Sequence, residues 1–93
     1  MALIYATEAF EVRPAERRVF LHGTPVALGA RAFDLLVVLI ERRERVVRKD
    51  ELMALVWPGL FVEENNLTVH IAALRKALAH DIIATVSGQG YRF

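Results

Sequence analysis

Cysteine is absent from this 93-residue chain. Disulfides, thiolate metal sites and cysteine nucleophiles are therefore excluded. The composition fits a reducing, cytoplasmic setting. Long hydrophobic runs are missing too. The longest, Leu35–Ile40 (LLVVLI), is far too short to span a bilayer. The opening MALIYATEAF has neither the basic stretch nor the long apolar stretch of a secretory signal, so none is expected. No sign of charge dominates: 12 Lys and Arg stand against 11 Asp and Glu, for a net charge of +1. That balance does not announce a nucleic-acid binder. Its distribution is less even. Residues 1–64 hold nine basic and ten acidic side chains, whereas residues 65–93 hold three basic and one acidic. Internal repeats and low-complexity segments are absent. His22, His70 and His80 lack metal-ligand spacing, and no Ser–His–Asp order or paired carboxylate stands out. Neither a metal, a cofactor nor catalysis is expected.

What is present is a globular composition, 55% apolar and 25% charged. The length allows one domain, 1–93, around a single core. Residues 1–28 read as a small antiparallel sheet of four strands, Leu3–Ala6, Phe10–Arg13, Arg18–Leu21 and Pro25–Leu28. Turns separate them at Thr7–Glu8, Pro14–Ala15 and His22–Gly23–Thr24, where Gly23 permits a positive φ. From Ala30 the apolar period lengthens. Phe33, Leu36, Leu39 and Ile40 predict a first helix over 30–43, with Gly29 as a weak N-cap. The ERRER stretch, 41–45, reads as a solvated surface. Val46–Val47 reads as short and extended. A second helix is expected over Lys49–Val56, with Asp50 and Glu51 in its first turn and Leu52, Leu55 and Val56 facing the core. Trp57–Pro58–Gly59 stops it.

A third helix is expected over Glu64–Ala79. Leu67, Ile71, Leu74 and Leu78 form one apolar stripe. Asn65, Val69, Ala72, Ala73 and Lys76 lie opposite, with Asn66, Thr68, His70 and Arg75 on the margins. Residues 82–93 read as a hairpin with the tip Ser87–Gly88–Gln89–Gly90, both glycines serving a tight turn. The domain within 1–93 is thus α+β: a sheet over 1–28, a three-helix core over 30–79 and a hairpin over 82–93. Its order suggests a helix-turn-helix followed by a wing.

LTVHIAALRKAL (67–78) followed by IIATVSGQGYRF (82–93) resembles the winged-helix effector domain of OmpR/PhoB-type bacterial transcriptional regulators. VVRKDELMALVWPG (46–59) and VALGARAFDLLVVLIE (26–41) resemble that family's second helix, and its first helix with the preceding strand. The resemblance implies sequence-specific binding of duplex DNA in transcription regulation. Helix three would lie in the major groove, wide enough for a helix at about 12 Å, and the wing at the minor groove. It implies base contacts from Asn66, Val69, His70 and Ala73, to which the sequence adds Asn65. It implies backbone contacts from Trp57, Arg75, Thr85, Gly88 and Tyr91, to which Lys76 and Ser87 are added. It also implies RNA polymerase contact through loop 57–63, head-to-tail pairing on DNA, and a two-component-like setting. The absence of a receiver domain suggests that the chain is the DNA-binding module of a longer regulator, with a tethered C-terminal regulatory domain. This sequence departs from the family at Asn65, Ala72, Ala73 and Ser87, where relatives often carry Arg, and at Arg48, where Ser or Thr often caps helix two. Guanine contacts and phosphate clamps are lost with those arginines.

Each candidate also has a structural alternative. Asn65 and Asn66 suit adenine N6/N7 or the N-cap of helix three. Val69, Ala72 and Ala73 suit thymine methyls, or Ala is there as a helix former. His70 suits a base or phosphate, or packs at a rim between helix and sheet. Arg75 suits a phosphate, or an ion pair within the helix or toward the sheet. Trp57 suits a phosphate through its indole N–H, or simple burial. A winged helix that docks a protein partner through the small apolar face of helix three is the alternative to DNA binding.

Overall fold

The computed structural model describes residues 3–78 and 81–93. Its N-terminal third is a four-stranded antiparallel meander, β1 (Tyr5–Ala6), β2 (Phe10–Arg13), β3 (Arg18–Leu21) and β4 (Thr24–Val26), in spatial order β1-β2-β3-β4. β1 is shorter than expected, with Leu3 and Ile4 exposed ahead of it. β4 starts one residue earlier and ends at Val26, not Leu28. The β3–β4 turn holds two residues, not three. His22 and Gly23 both have positive φ, 50° and 79°, the signature of a type I′ hairpin turn. Leu21 then pairs directly with Thr24. Between β2 and β3, Pro14–Glu16 forms a 3-10 turn closed by Arg17 in the left-handed conformation. Alternation puts Phe10, Val12 and Val19 on the buried face of the sheet.

Helix α1 (Ala30–Glu41) begins after Gly29, as expected, and stops two residues short of the predicted end. A short strand, β5 (Val47–Arg48), leads into α2 (Lys49–Val56), whose bounds match the sequence reading. Leu55 is the exception on α2. It was expected in the core and is 43% exposed, because the helix buries Leu52 and Val56 and turns Leu55 toward solvent. Helix α3 (Glu64–Ala77) follows a loop over 57–63. Ala79, the predicted last residue of this helix, and His80 lie outside the described residues. β6 (Ala84–Val86) and β7 (Gly90–Arg92) close the chain as a hairpin, shorter than the 82–93 expected.

The hairpin is not alone. β5 pairs with β7, giving a three-stranded sheet in the order β5-β7-β6. This pairing also corrects the explanation of one glycine. Gly88, at φ +74°, serves the turn, but a Cβ on Gly90 would lie 2.0 Å from the Val47 carbonyl oxygen. Gly90 is there for close backbone approach, not for the turn.

One core joins the layers. The stripe Leu67, Ile71 and Leu74 of α3, with Leu78 at its C-cap, shares one core with Leu35, Leu36, Leu39 and Ile40 of α1, with Val47 and Tyr91 of the wing sheet, and with Ile83 just before β6. Phe93 meets Phe10 edge to face at 5.7 Å, tying the chain's last residue to the N-terminal sheet. Among the described residues no polar or charged side chain is buried.

Candidate nucleic-acid interface

The orientation of α3 follows from its core stripe. Leu67, Ile71 and Leu74 sink into the core, so residues about 180° away on the helix must face out. Asn65, Val69, Ala72, Ala73 and Lys76 are all exposed, and Val69 keeps 55% of its surface in water. An exposed β-branched residue in mid-helix contributes nothing to the core and is a modest helix former.

The start of α3 differs from the capping alternative. Glu63, with extended backbone, is the N-cap. Asn65 and Asn66 sit inside the first turn, both exposed, and Asn66 Nδ2 donates to the Glu63 carbonyl at 3.4 Å. Neither asparagine caps the helix.

His70 and Trp57 form a pair. Their rings meet edge to face at 5.5 Å, and His70 Nδ1 lies 2.7 Å from the Asn66 carbonyl. That oxygen can only accept, so Nδ1 carries the proton. His70 therefore packs on the indole at the end of α2, not between helix and sheet. Trp57 is buried, with its backbone N–H donating to the Met53 carbonyl.

Arg75 leaves the last turn of α3 and reaches the wing. Its Nε and Nη2 donate to the Ile83 carbonyl at 3.1 and 2.8 Å, and Nη2 donates to Thr85 Oγ1 at 2.7 Å. Its guanidinium carbon lies 5.9 Å from the centre of the Tyr91 ring. The side chain points toward the sheet, but its partners are a carbonyl and a hydroxyl, not the carboxylate of the expected ion pair. Thr85, Ser87 and Gly88 are exposed along the hairpin, and Tyr91 is buried behind them.

Three supporting features were not read from the sequence. Arg31 of α1 donates to the Val56 carbonyl at 2.8 Å, filling an otherwise open acceptor at the end of α2. The arginines of the ERRER stretch are not merely solvated, and Arg43 Nη1 donates to the Ile40 carbonyl at 3.0 Å. Arg45 holds both carboxylate oxygens of Glu51 at 2.9 and 2.7 Å, and Arg42 approaches the same group at 3.5 Å. The Arg45 hydrogen bonds, with the Arg45 and Arg42 charges, hold the Glu51 carboxyl below its ordinary range against a smaller opposing effect of desolvation. In the loop between α2 and α3, Leu60 and Phe61 are exposed, Phe61 by 98%. The signals were present: an arginine in the first turn of a largely apolar helix, opposite charges six residues apart, and two apolar residues in a loop.

A helix-turn-helix whose last helix is bare on its outer side, flanked by a hairpin packed on the same core, defines a winged-helix domain. The comparisons with known proteins agree. The family described as "Transcriptional regulatory protein, C terminal" matches residues 23–93. The phosphate regulon transcriptional regulatory protein PhoB of Pseudomonas aeruginosa is 38% identical over 84 residues, covering 86% of this chain and 37% of that protein. The response regulator DrrB of Thermotoga maritima superposes with a TM-score of 0.89 at 27% identity, covering 97% of this chain and 43% of DrrB. The DNA-binding domain of Klebsiella pneumoniae RstA, solved in complex with the RstA box, superposes with a TM-score of 0.81 at 28% identity, covering 97% of this chain and 95% of that one. The chain spans about two fifths of the curated regulators it matches. It belongs to the OmpR/PhoB-type family of winged-helix DNA-binding domains of transcriptional regulators.

Proposed function

We propose that this chain binds duplex DNA with the outer face of α3 in the major groove and the β6–β7 hairpin at the minor groove. The observation that carries the assignment is the exposed ridge Asn65, Val69, Ala72, Ala73 and Lys76, bounded on one side by the wing. Asn65, Asn66, Val69, His70 and Ala73 face base edges. The asparagines suit adenine, and Val69 and Ala73 suit thymine methyls. His70 is engaged through Nδ1 with the Asn66 carbonyl, which leaves Nε2 for a base. Backbone contacts come from Trp57, Lys76, Thr85, Ser87, Gly88 and Tyr91, with Arg75 serving the backbone through its bond to Thr85. Burial restricts Trp57 and Tyr91 to their N–H and O–H groups. These contacts fix register, and the ridge reads sequence.

Loop 57–63 offers Leu60 and Phe61 to RNA polymerase, which suits their exposure. No helix of the described residues is long and apolar enough to cross a membrane. The work of this domain is cytoplasmic and non-enzymatic, in tandem on DNA or tethered to a regulatory domain. Linking modules raises effective concentration and offsets the low charge of a single copy.

Fluorescence anisotropy with random-sequence duplexes at rising salt tests the assignment. With about 3–5 phosphates neutralised, log K falls with log salt at a slope of roughly −3 to −4.5. Absence of salt-sensitive binding contradicts the assignment and favours a protein partner on the Ala and Val face of α3.

A further inference from the structure

We propose that Arg75 is a positioning residue, a strut that fixes the wing against the recognition helix and aims the Thr85 hydroxyl outward as a hydrogen-bond donor. Its consequence for binding rests on the DNA-binding assignment above, but the strut itself is a property of the free protein.

The geometry joins three elements through one side chain. Arg75 is rooted in the last turn of α3. Two of its nitrogens grip the Ile83 carbonyl, one residue before β6. One of those, Nη2, also reaches Thr85 within β6. The guanidinium plane lies near the ring of Tyr91 on β7. β6 is an edge strand of its sheet and pairs on one side, with β7, through Ala84, Thr85 and Val86. Arg75 supplies bonds to this strand from the helix.

The contact with Thr85 has a direction. Guanidinium nitrogens only donate, so the hydroxyl oxygen accepts from Arg75 and its own proton turns elsewhere. Thr85 is exposed. Its O–H is therefore left to donate, which is what an anionic phosphate oxygen requires. Arg75 then acts on the backbone through Thr85 and through the angle of the wing. A plain positive charge at this position would act differently. Lysine keeps the charge, but its compact ammonium lacks the planar fork that bonds Ile83 and Thr85 while lying on Tyr91.

The test compares the parent with Arg75→Lys, Arg75→Met and Thr85→Val. Amide hydrogen exchange of residues 84–92 is measured in the free protein, and anisotropy with duplex DNA across a salt series. The strut predicts that Arg75→Lys and Arg75→Met both speed exchange at the hairpin by about tenfold, as loss of a charge-assisted bond would. Both weaken DNA binding to within about twofold of each other. The salt slope of Arg75→Lys stays within about half a unit of the parent's. Thr85→Val, at an exposed site, weakens binding in the parent and has less effect in the Arg75→Met background, because the two residues act as one unit. Parent-like exchange and affinity in Arg75→Lys would overturn the strut. So would unchanged wing exchange in Arg75→Met with the slope reduced by about one, which marks a direct phosphate clamp. Additive effects of Thr85→Val and Arg75→Met would overturn the aiming of the hydroxyl. If even the parent fails to bind DNA, the binding assignment falls while hydrogen exchange still decides the strut.

Discussion

Replacing Gly90 with alanine puts a methyl group where the β5 backbone already is. The new Cβ would sit 2.0 Å from the Val47 carbonyl oxygen and 2.9 Å from both the Val47 carbonyl carbon and Arg48 Cα. All three are backbone atoms, so no side chain can swing aside. β5 and β7 must separate, breaking the Val47–Tyr91 and Arg48–Gly90 pairing. Overpacking costs about 1–3 kcal/mol, and rigid backbone puts this site at the upper end. Lost inter-strand hydrogen bonds add roughly 0.5–1.5 kcal/mol each. The expected loss is about 3 kcal/mol or more. For a domain of this size that lowers Tm by roughly 12–24 °C. Two other glycines serve as controls. Gly29→Ala meets nothing within 4 Å and has an ordinary φ of −63°, so it changes little. Gly88→Ala also meets nothing within 4 Å but must hold φ +74°, a strain of about 1–2 kcal/mol. Urea denaturation followed by fluorescence of Trp57, the single tryptophan, ranks the three. If Gly90→Ala is no more destabilising than Gly88→Ala, the wing does not pack on β5 as described.

Leu67→Ala opens a cavity in the fully buried stripe of α3 and costs about 2–5 kcal/mol, whereas Leu55→Ala at the exposed α2 position costs under about 1 kcal/mol; denaturant midpoints compare them. Val69→Ala leaves Tm within about 2 °C and relaxes preference at one base pair, read by selection from a random duplex library. Glu51→Gln loosens the link between the segment after α1 and the start of α2. Because the folded-state pKa of Glu51 is depressed, its stabilising contribution is present above the ordinary value of 4.5 and is lost as pH falls through the lower folded value. The Tm gap between parent and Glu51→Gln is therefore open at pH 7 and closes on acidification below 4.5; a gap that persists at low pH contradicts the ion pair.

The sequence was most legible where structure is set by neighbours along the chain. The period of Leu67, Ile71, Leu74 and Leu78 announced both the buried and the bare side of α3, and both are as expected. The bounds of α2 were legible from Asp50 and Glu51 at one end and Trp57–Pro58–Gly59 at the other. Non-local contacts were opaque. β5 is two residues long and finds its partner more than forty positions away, so in the sequence Gly90 reads as part of the turn it adjoins instead of the strand it touches. Leu55 reads as a core position in the sequence because a helix of eight residues has too few turns to separate a core position from its neighbour. Asparagine's strength as an N-cap suggested Asn65 or Asn66, yet Glu63 occupies that position because the loop from Trp57 delivers extended backbone there. At the candidate interface, exposure of the α3 ridge was legible. The partners of Arg75 were not, since they lie on a hairpin eight and ten residues further on.

Amide chemical-shift mapping of the labelled domain with a duplex enriched from a random library bears most directly on the assignment of α3 as the reading element. Perturbations should concentrate between Asn65 and Lys76 and along the hairpin from Ala84 to Gly90, leaving β1 to β4 quiet. Shifts gathered on the N-terminal sheet, or no enriched duplex at all, would contradict it.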